Sequence, residues 1–334
     1  MSKKPEEYIF PSVLLRSKET RFLTQASLDK LVEADGTQGM LKALAELGYG
    51  GGLITDKAES AETAISAELK EAYQTVFSVL TDEPELALFE YPGDYHNLKV
   101  LLKSQALGLD PKDLLMDTGS IEPEKLEEIV RKKEMASLSA VMKEAIATAS
   151  ETFAKSQDPQ EIDIIFDRAC YQDMADAAAR LDDEFVLGYV RLLIDCLNMS
   201  SMIRLRRIGK GKNFFEKIFL SGGELDLGMF EALYEESYAQ IADKLAPFGY
   251  YEIFTTGTAA LDATGSYSEL EKILDNIKID YVRDSRYEPF GLCVACAYLV
   301  AKEMEAKNIR IILAGKAAGT DKQVIAERLR RTYV

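Results

Sequence analysis

The sequence is poor in bases: 40 lysines and arginines stand against 56 aspartates and glutamates in 334 residues, a net charge of −16. Such a field repels phosphate backbones and anionic lipid, which argues against a nucleic-acid partner. Histidine is almost missing. His96 alone cannot supply a Ser-His-Asp or Cys-His pair or a histidine-rich metal site, and its expected role is structural. The four cysteines, at 170, 196, 293 and 296, make no disulfide framework and suit a reducing compartment. Cys293 and Cys296 have the spacing of a redox pair, which keeps a thiol oxidoreductase as the enzyme alternative, but they lie in an apolar helical run and read as small core residues. No Gly-x4-Gly-Lys-Ser/Thr loop offers backbone amides to phosphates; the glycines of Gly48–Gly52 read as a turn and those of Gly315–Gly319 as a helix end. Long hydrophobic runs are absent too. The longest uncharged one, Phe290–Ala301, falls short of the ~20 residues that cross a bilayer, and Phe185–Leu197 is broken by Arg191 and Asp195. No apolar segment follows the two lysines of the first ten residues, so a cytosolic location is expected. Neither a catalytic dyad, a cofactor site nor a small-molecule substrate is indicated.

What the chain has is helical periodicity nearly throughout, as in Leu138, Val141, Met142, Ala145 and Ala149 on one face. Phe185–Leu197 is apolar almost all round, the pattern of a buried helix, and Ile309–Leu313 continues a longer helical pattern without a breaker. The fold class is all-α.

An internal repeat organises the chain. The segments DYHNLKVLLKSQALGLD, DCLNMSSMIRLRRIGKG and EAKNIRIILAGKAAGTD align on Asn97, Asn198 and Asn308. An acid lies three residues before each asparagine (Asp94, Asp195, Glu305) and a glycine eleven after it (Gly108, Gly209, Gly319). Bases recur at Lys99 and Arg310 and again at Lys103 and Arg204, and acids at Asp110 and Asp321. The asparagines are 101 and 110 residues apart, a domain-sized period. Each repeat is expected to hold a core helix stopped by its glycine in the left-handed conformation. Another helix should come next, with Asp110-Pro111 at one start and Thr320 to Gln323 as a capping box at another. In the second repeat KGKNFFEKIFLSGGELD reads as an inserted linker before a helix from Leu227. A weaker echo relates GSIEPEKLEEI to GGELDLGMFEAL. The expected division is 1–122, 123–225 and 226–334, three similar helical domains that can close into a pseudo-threefold ring or funnel.

With PFG at Pro289–Gly291, AYLVAKEMEAKNIRIILAGK and the ending ERLRRTYV, joined by YHNLKVLLK, IDIIFDRACY and FLSGGEL, the chain resembles the C-subunit family of V/A-type ATPases, related to the vacuolar d subunit. The resemblance spans most of Tyr91–Val334. It implies a non-catalytic, funnel-shaped rotor socket whose partners are the central shaft and the membrane ring, placed peripherally at the cytoplasmic face. The alternative is a helical scaffold outside any rotary ATPase. Asn97, Asn198, Asn308, their acids and their glycines are the expected structural keystones. Lys99, Arg204 and Arg310 are expected to pair with Asp94, Asp195 and Glu305 along the same helix, with the shaft as the other option.

Overall fold

The computed structural model describes residues 5–334, so Lys3 and Lys4, the two N-terminal lysines, lie outside the described residues. Among the described residues there is no strand. The chain forms two compact units. One is continuous, Glu83–Glu235. The other is split, joining the segment that ends at Asp82 to the segment from Glu236 onward.

In the continuous unit, Ala140–Ser156 and Pro159–Leu181 form an antiparallel pair across a tight turn. Gln157 adopts the left-handed conformation that ends the first helix, Asp158 caps the second, and Pro159 takes the first helical position, where its missing N–H costs nothing. The first repeat helix, Tyr91–Leu107, packs on this pair and on Pro123–Lys132. Buried Tyr95 meets Phe166 edge-on, and its hydroxyl donates to Asp173, which also accepts from Ser139. The second repeat helix, Glu184–Arg207, is long and apolar enough to cross a membrane by composition alone, but 56% of its most apolar window is buried inside the protein.

In the split unit, the third repeat helix, Leu292–Ala317, is buried at every residue from Leu292 to Lys302. A helix covered all round needs no amphipathic stripe, which explains its uninterrupted apolar sequence. It packs on Ser268–Arg283 and on four helices from the start of the chain, Ile9–Glu19, Gln25–Glu33, Gly36–Glu46 and Glu59–Val79. In each unit a helix carrying a repeat asparagine thus packs on helices from a separate stretch of the chain, 123–181 for Asn97 and 9–79 for Asn308.

Candidate functional site

A carboxamide is a planar side chain with one donor and one acceptor side by side, so it can pair with a peptide group as a neighbouring strand would. All three repeat asparagines do this. Asn97 donates to the Met116 carbonyl (2.9 Å) and accepts from the Met116 N–H (2.8 Å). Asn198 holds Leu220 by the same two bonds (2.8 and 3.0 Å), and Asn308 holds Arg330 (3.1 and 2.8 Å). Each asparagine is buried, so the segment that returns past the repeat helix finds its backbone partner in the core instead of in water.

The acids one turn earlier hold the same returning segments a few residues further on. Asp94 accepts from the Ser120 N–H, the Ser120 hydroxyl and the Ile121 N–H. Asp195 accepts from the N–H groups of Glu224 and Leu225 at 3.3 and 3.1 Å. Here the chain passes so close that a Cβ on Gly119 would lie 2.3 Å from Asp94 Oδ1, and one on Gly223 2.1 Å from Asp195 Oδ1. This explains the GSIE and GGEL echo: glycine, then the gripped residues, then the cap of a new helix. Gly223→Ala is expected to destabilise the continuous unit by about 2 kcal/mol, read from urea unfolding, because the displaced carboxylate leaves buried N–H groups unpaired.

The third acid is one methylene longer and grips a different part of the chain. Glu305 accepts from the Leu23 N–H (2.6 Å) and pairs with buried Lys302 (2.9 Å). Burial would lower the Lys302 pKa, but Glu305 and Glu68 outweigh it and raise it, so the ammonium persists. Leu23 occupies the place of Ile121 and Leu225. Ile121 precedes Glu122, N-cap of Pro123–Lys132; Leu225 precedes Asp226, N-cap of Leu227–Leu233; Leu23 precedes Thr24, N-cap of Gln25–Glu33. The first two repeats run from asparagine-held residue to acid-held residue in five steps (116 to 121, 220 to 225). In the third, Asn308 holds Arg330 and Leu23 supplies the acid-held position. The two chain ends therefore complete one repeat. Phe22 meets Tyr333 edge-on at 5.8 Å, and Arg16 donates to the Tyr333 hydroxyl.

A family described as "ATP synthase (C/AC39) subunit" matches residues 11–328. The chain belongs to this family. Among its relatives, the C subunit of the V-type sodium ATPase of Enterococcus hirae is 21% identical over 328 residues, 98% of this chain and 99% of its own length. The C subunit of the A-type ATP synthase of Methanocaldococcus jannaschii is 22% identical (92% and 82% covered), and that of the V-type ATP synthase of Thermus thermophilus is 25% identical (81% and 83%).

In this member of the C/AC39 family the repeat glycines end their helices alike. Gly108, Gly209 and Gly319 have φ of 68°, 71° and 66°, and the N–H after each bonds a carbonyl five residues back, at Ser104, Leu205 and Gly315. The segments beyond these glycines differ from the expected helix starts. Asp110 accepts from the Lys112 N–H just before a short 3₁₀ turn, Lys112–Leu114, and the next α-helix waits until Pro123. Asp321, not Thr320, is the N-cap of Lys322–Arg328, its carboxylate accepting from the Gln323 N–H at 2.8 Å. The second repeat's linker contains the helix Lys212–Ile218 and the Leu220 segment that Asn198 grips.

The bases do not pair along their own helix. Five residues on a helix turn through ~500°, so Lys99 and Arg310 point well away from Asp94 and Glu305, which face the backbone N–H groups they grip. Lys99 instead meets Asp167 (2.7 Å) and Lys103 meets Asp163 on Pro159–Leu181, while Arg310 meets Glu62 on Glu59–Val79. Arg204 donates to Ser200, which stands where the other repeats carry a base. Lys99→Met is expected to change stability by less than about 1 kcal/mol in thermal unfolding, since Asp167 is half exposed. His96 bonds the Leu114 carbonyl at 3.0 Å, and all four cysteines are buried and none is in a disulfide. Gly48, Gly50, Gly51 and Gly52 all have positive φ, with the Gly50 N–H held by Glu68.

Glu90, at the start of the first repeat helix, titrates unusually. Burial, and then the nearby Asp94 carboxylate, lift its pKa from 4.5 to about 7. A raised carboxyl binds a proton in the folded state that the unfolded chain has released; this contribution is full below about pH 4.5 and lost as pH rises through about 7. Glu90→Gln should therefore stabilise the protein at pH 8 by about 1 kcal/mol, allowing for partial exposure, and leave it unchanged at pH 4.5. Urea titrations at the two pH values read this directly.

Proposed function

We propose that the chain is the non-catalytic rotor element of a V/A-type ATPase, the socket through which the central shaft turns the membrane ring. The observation that carries this reading beyond family membership is the use of the buried polar groups. Asparagine and acid of every repeat are spent on backbone, and the third set ties one end of the chain to the other. A part that transmits torque has to resist shear between its elements, and buried, fully paired polar contacts give fixed geometry.

The division into 1–122, 123–225 and 226–334 belongs to this proposal. The two internal boundaries fall at Pro123, the first residue of one helix, and at Asp226, the N-cap of another. With the first repeat helix packed on helices of the second repeat, and the third on helices of the first, the same step from second to third would close a pseudo-threefold ring. The partners would be the shaft and the ring, and the place the cytoplasmic face of the membrane, without a span of its own. Relatives carry names with both sodium ATPase and ATP synthase, so the ion and the working direction are properties of the other subunits.

The test is affinity purification of the detergent-solubilised ATPase through a tag on the catalytic sector. This chain should co-purify in fixed stoichiometry with shaft and ring proteins. An intact, ion-pumping complex without it would leave the helical scaffold reading in its place.

A further inference from the structure

The N-terminal helix Ile9–Glu19 buries Pro11, Ser12, Leu15 and Glu19, yet its opposite side is also apolar. Phe10 is 68% exposed and Val13 63%, with Ile9 beside them. Ser12 Oγ accepts from the Gly291 N–H at 3.2 Å, and Arg16 donates to the carbonyls of Ser285 and Glu288. The segment 285–291 therefore runs along the flank of this helix. Tyr287, 82% exposed, and Phe290 lie on this segment, on the flank that Ser12 and Arg16 hold. Five large apolar side chains on one surface exceed the scattered exposure usual for a free protein, and such patches mark contacts.

The border of the patch is acidic. Glu6, Glu7, Asp284 and Glu288 are exposed, and none makes an ion pair among the described residues. The local cations are turned elsewhere: Arg16 onto Glu19 and Tyr333, Arg286 onto the carbonyls of Arg283 and Tyr333. This charge pattern selects the occupant. A second copy would set carboxylates against carboxylates, and an anionic bilayer would be repelled. An amphipathic helix whose apolar stripe is flanked by lysine and arginine complements both parts.

We propose that this acid-rimmed apolar patch is the docking surface for a basic amphipathic helix of another protein of the complex, an inference that rests on membership of the rotary complex. The test places a photo-crosslinking benzoylphenylalanine at position 10 in the intact complex and identifies the captured peptide by mass spectrometry. A peptide of another component with lysine or arginine flanking an apolar stripe is expected. In parallel, Phe10→Ser with Tyr287→Ser should weaken retention of the chain on the complex at least about tenfold. Neutralising the rim (Glu6→Gln, Glu7→Gln, Asp284→Asn, Glu288→Gln) should abolish the salt dependence of retention. These side chains are exposed, so thermal unfolding of the isolated chain should stay as in wild type. Crosslinks to a second copy, to residues 1–4, to lipid alone, to a peptide lacking basic flanks, or to nothing while the chain co-purifies overturn the docking surface and leave the rotor reading standing. Absence of the chain from the purified complex contradicts the rotor reading, and the docking surface with it.

Discussion

Truncation after Leu329 is expected to lower the unfolding free energy of the split unit by about 5 kcal/mol, a large part of the ~5–15 kcal/mol that stabilises a typical domain. Only five residues are removed, but they are the returning segment of the third repeat. Asn308 loses both bonds to Arg330 and is left buried without them. Asp275 loses the buried Arg330 guanidinium at 2.9 Å, although Lys278 and Lys307 remain. Burial alone would raise the Asp275 pKa, but those two lysines hold it down at about 2. Tyr333, buried against Phe22 and bonded to Arg16 and Ser285, leaves a cavity. Removing Val334 alone, which is 42% exposed, should cost less than about 1 kcal/mol. Urea unfolding of the two truncations separates an integral segment from a trailing end; equal small effects would mean that the ends do not complete a repeat.

Replacing a repeat asparagine is expected to be nearly as damaging. Asn198→Leu keeps the volume but strands the N–H and carbonyl of Leu220 in the core, at a cost of about 2–4 kcal/mol. Asn198→Asp should be no better, because one carboxylate oxygen would face the Leu220 carbonyl. Asn97→Leu and Asn308→Leu should cost similar amounts, in the continuous and the split unit respectively. A loss below about 0.5 kcal/mol in all three would reduce the clamp to a coincidence of packing.

The repeat helices and their ends were legible because they are local: an asparagine and a left-handed glycine recur at fixed spacing on one helix. Their partners were not. The gripped backbone lies 19 residues after Asn97 but 22 after Asn198 and Asn308, and a backbone partner imposes no side-chain identity that a pattern could reveal. Gly119 and Gly223 are the visible trace, an echo in the sequence whose cause is the close approach of the two carboxylates. The third repeat was harder, since its continuation lies at the other end of the chain. The longer acid, Glu305 where the others have aspartate, and Leu23-Thr24 matching Ile121-Glu122 and Leu225-Asp226, were the available signals. Adjacency in sequence does not predict the ion pairs, because an acid and a base five residues apart lie on different sides of a helix. Lys99 and Arg310 reach acids on neighbouring long helices instead.

The most direct test of the rotor account is energy coupling in reconstituted ATPase vesicles with this chain omitted and then added back. Without it, ATP hydrolysis by the catalytic sector should continue while ATP-driven ion transport disappears, and addition of the purified chain should restore transport. Ion transport that proceeds unchanged without the chain would contradict the account.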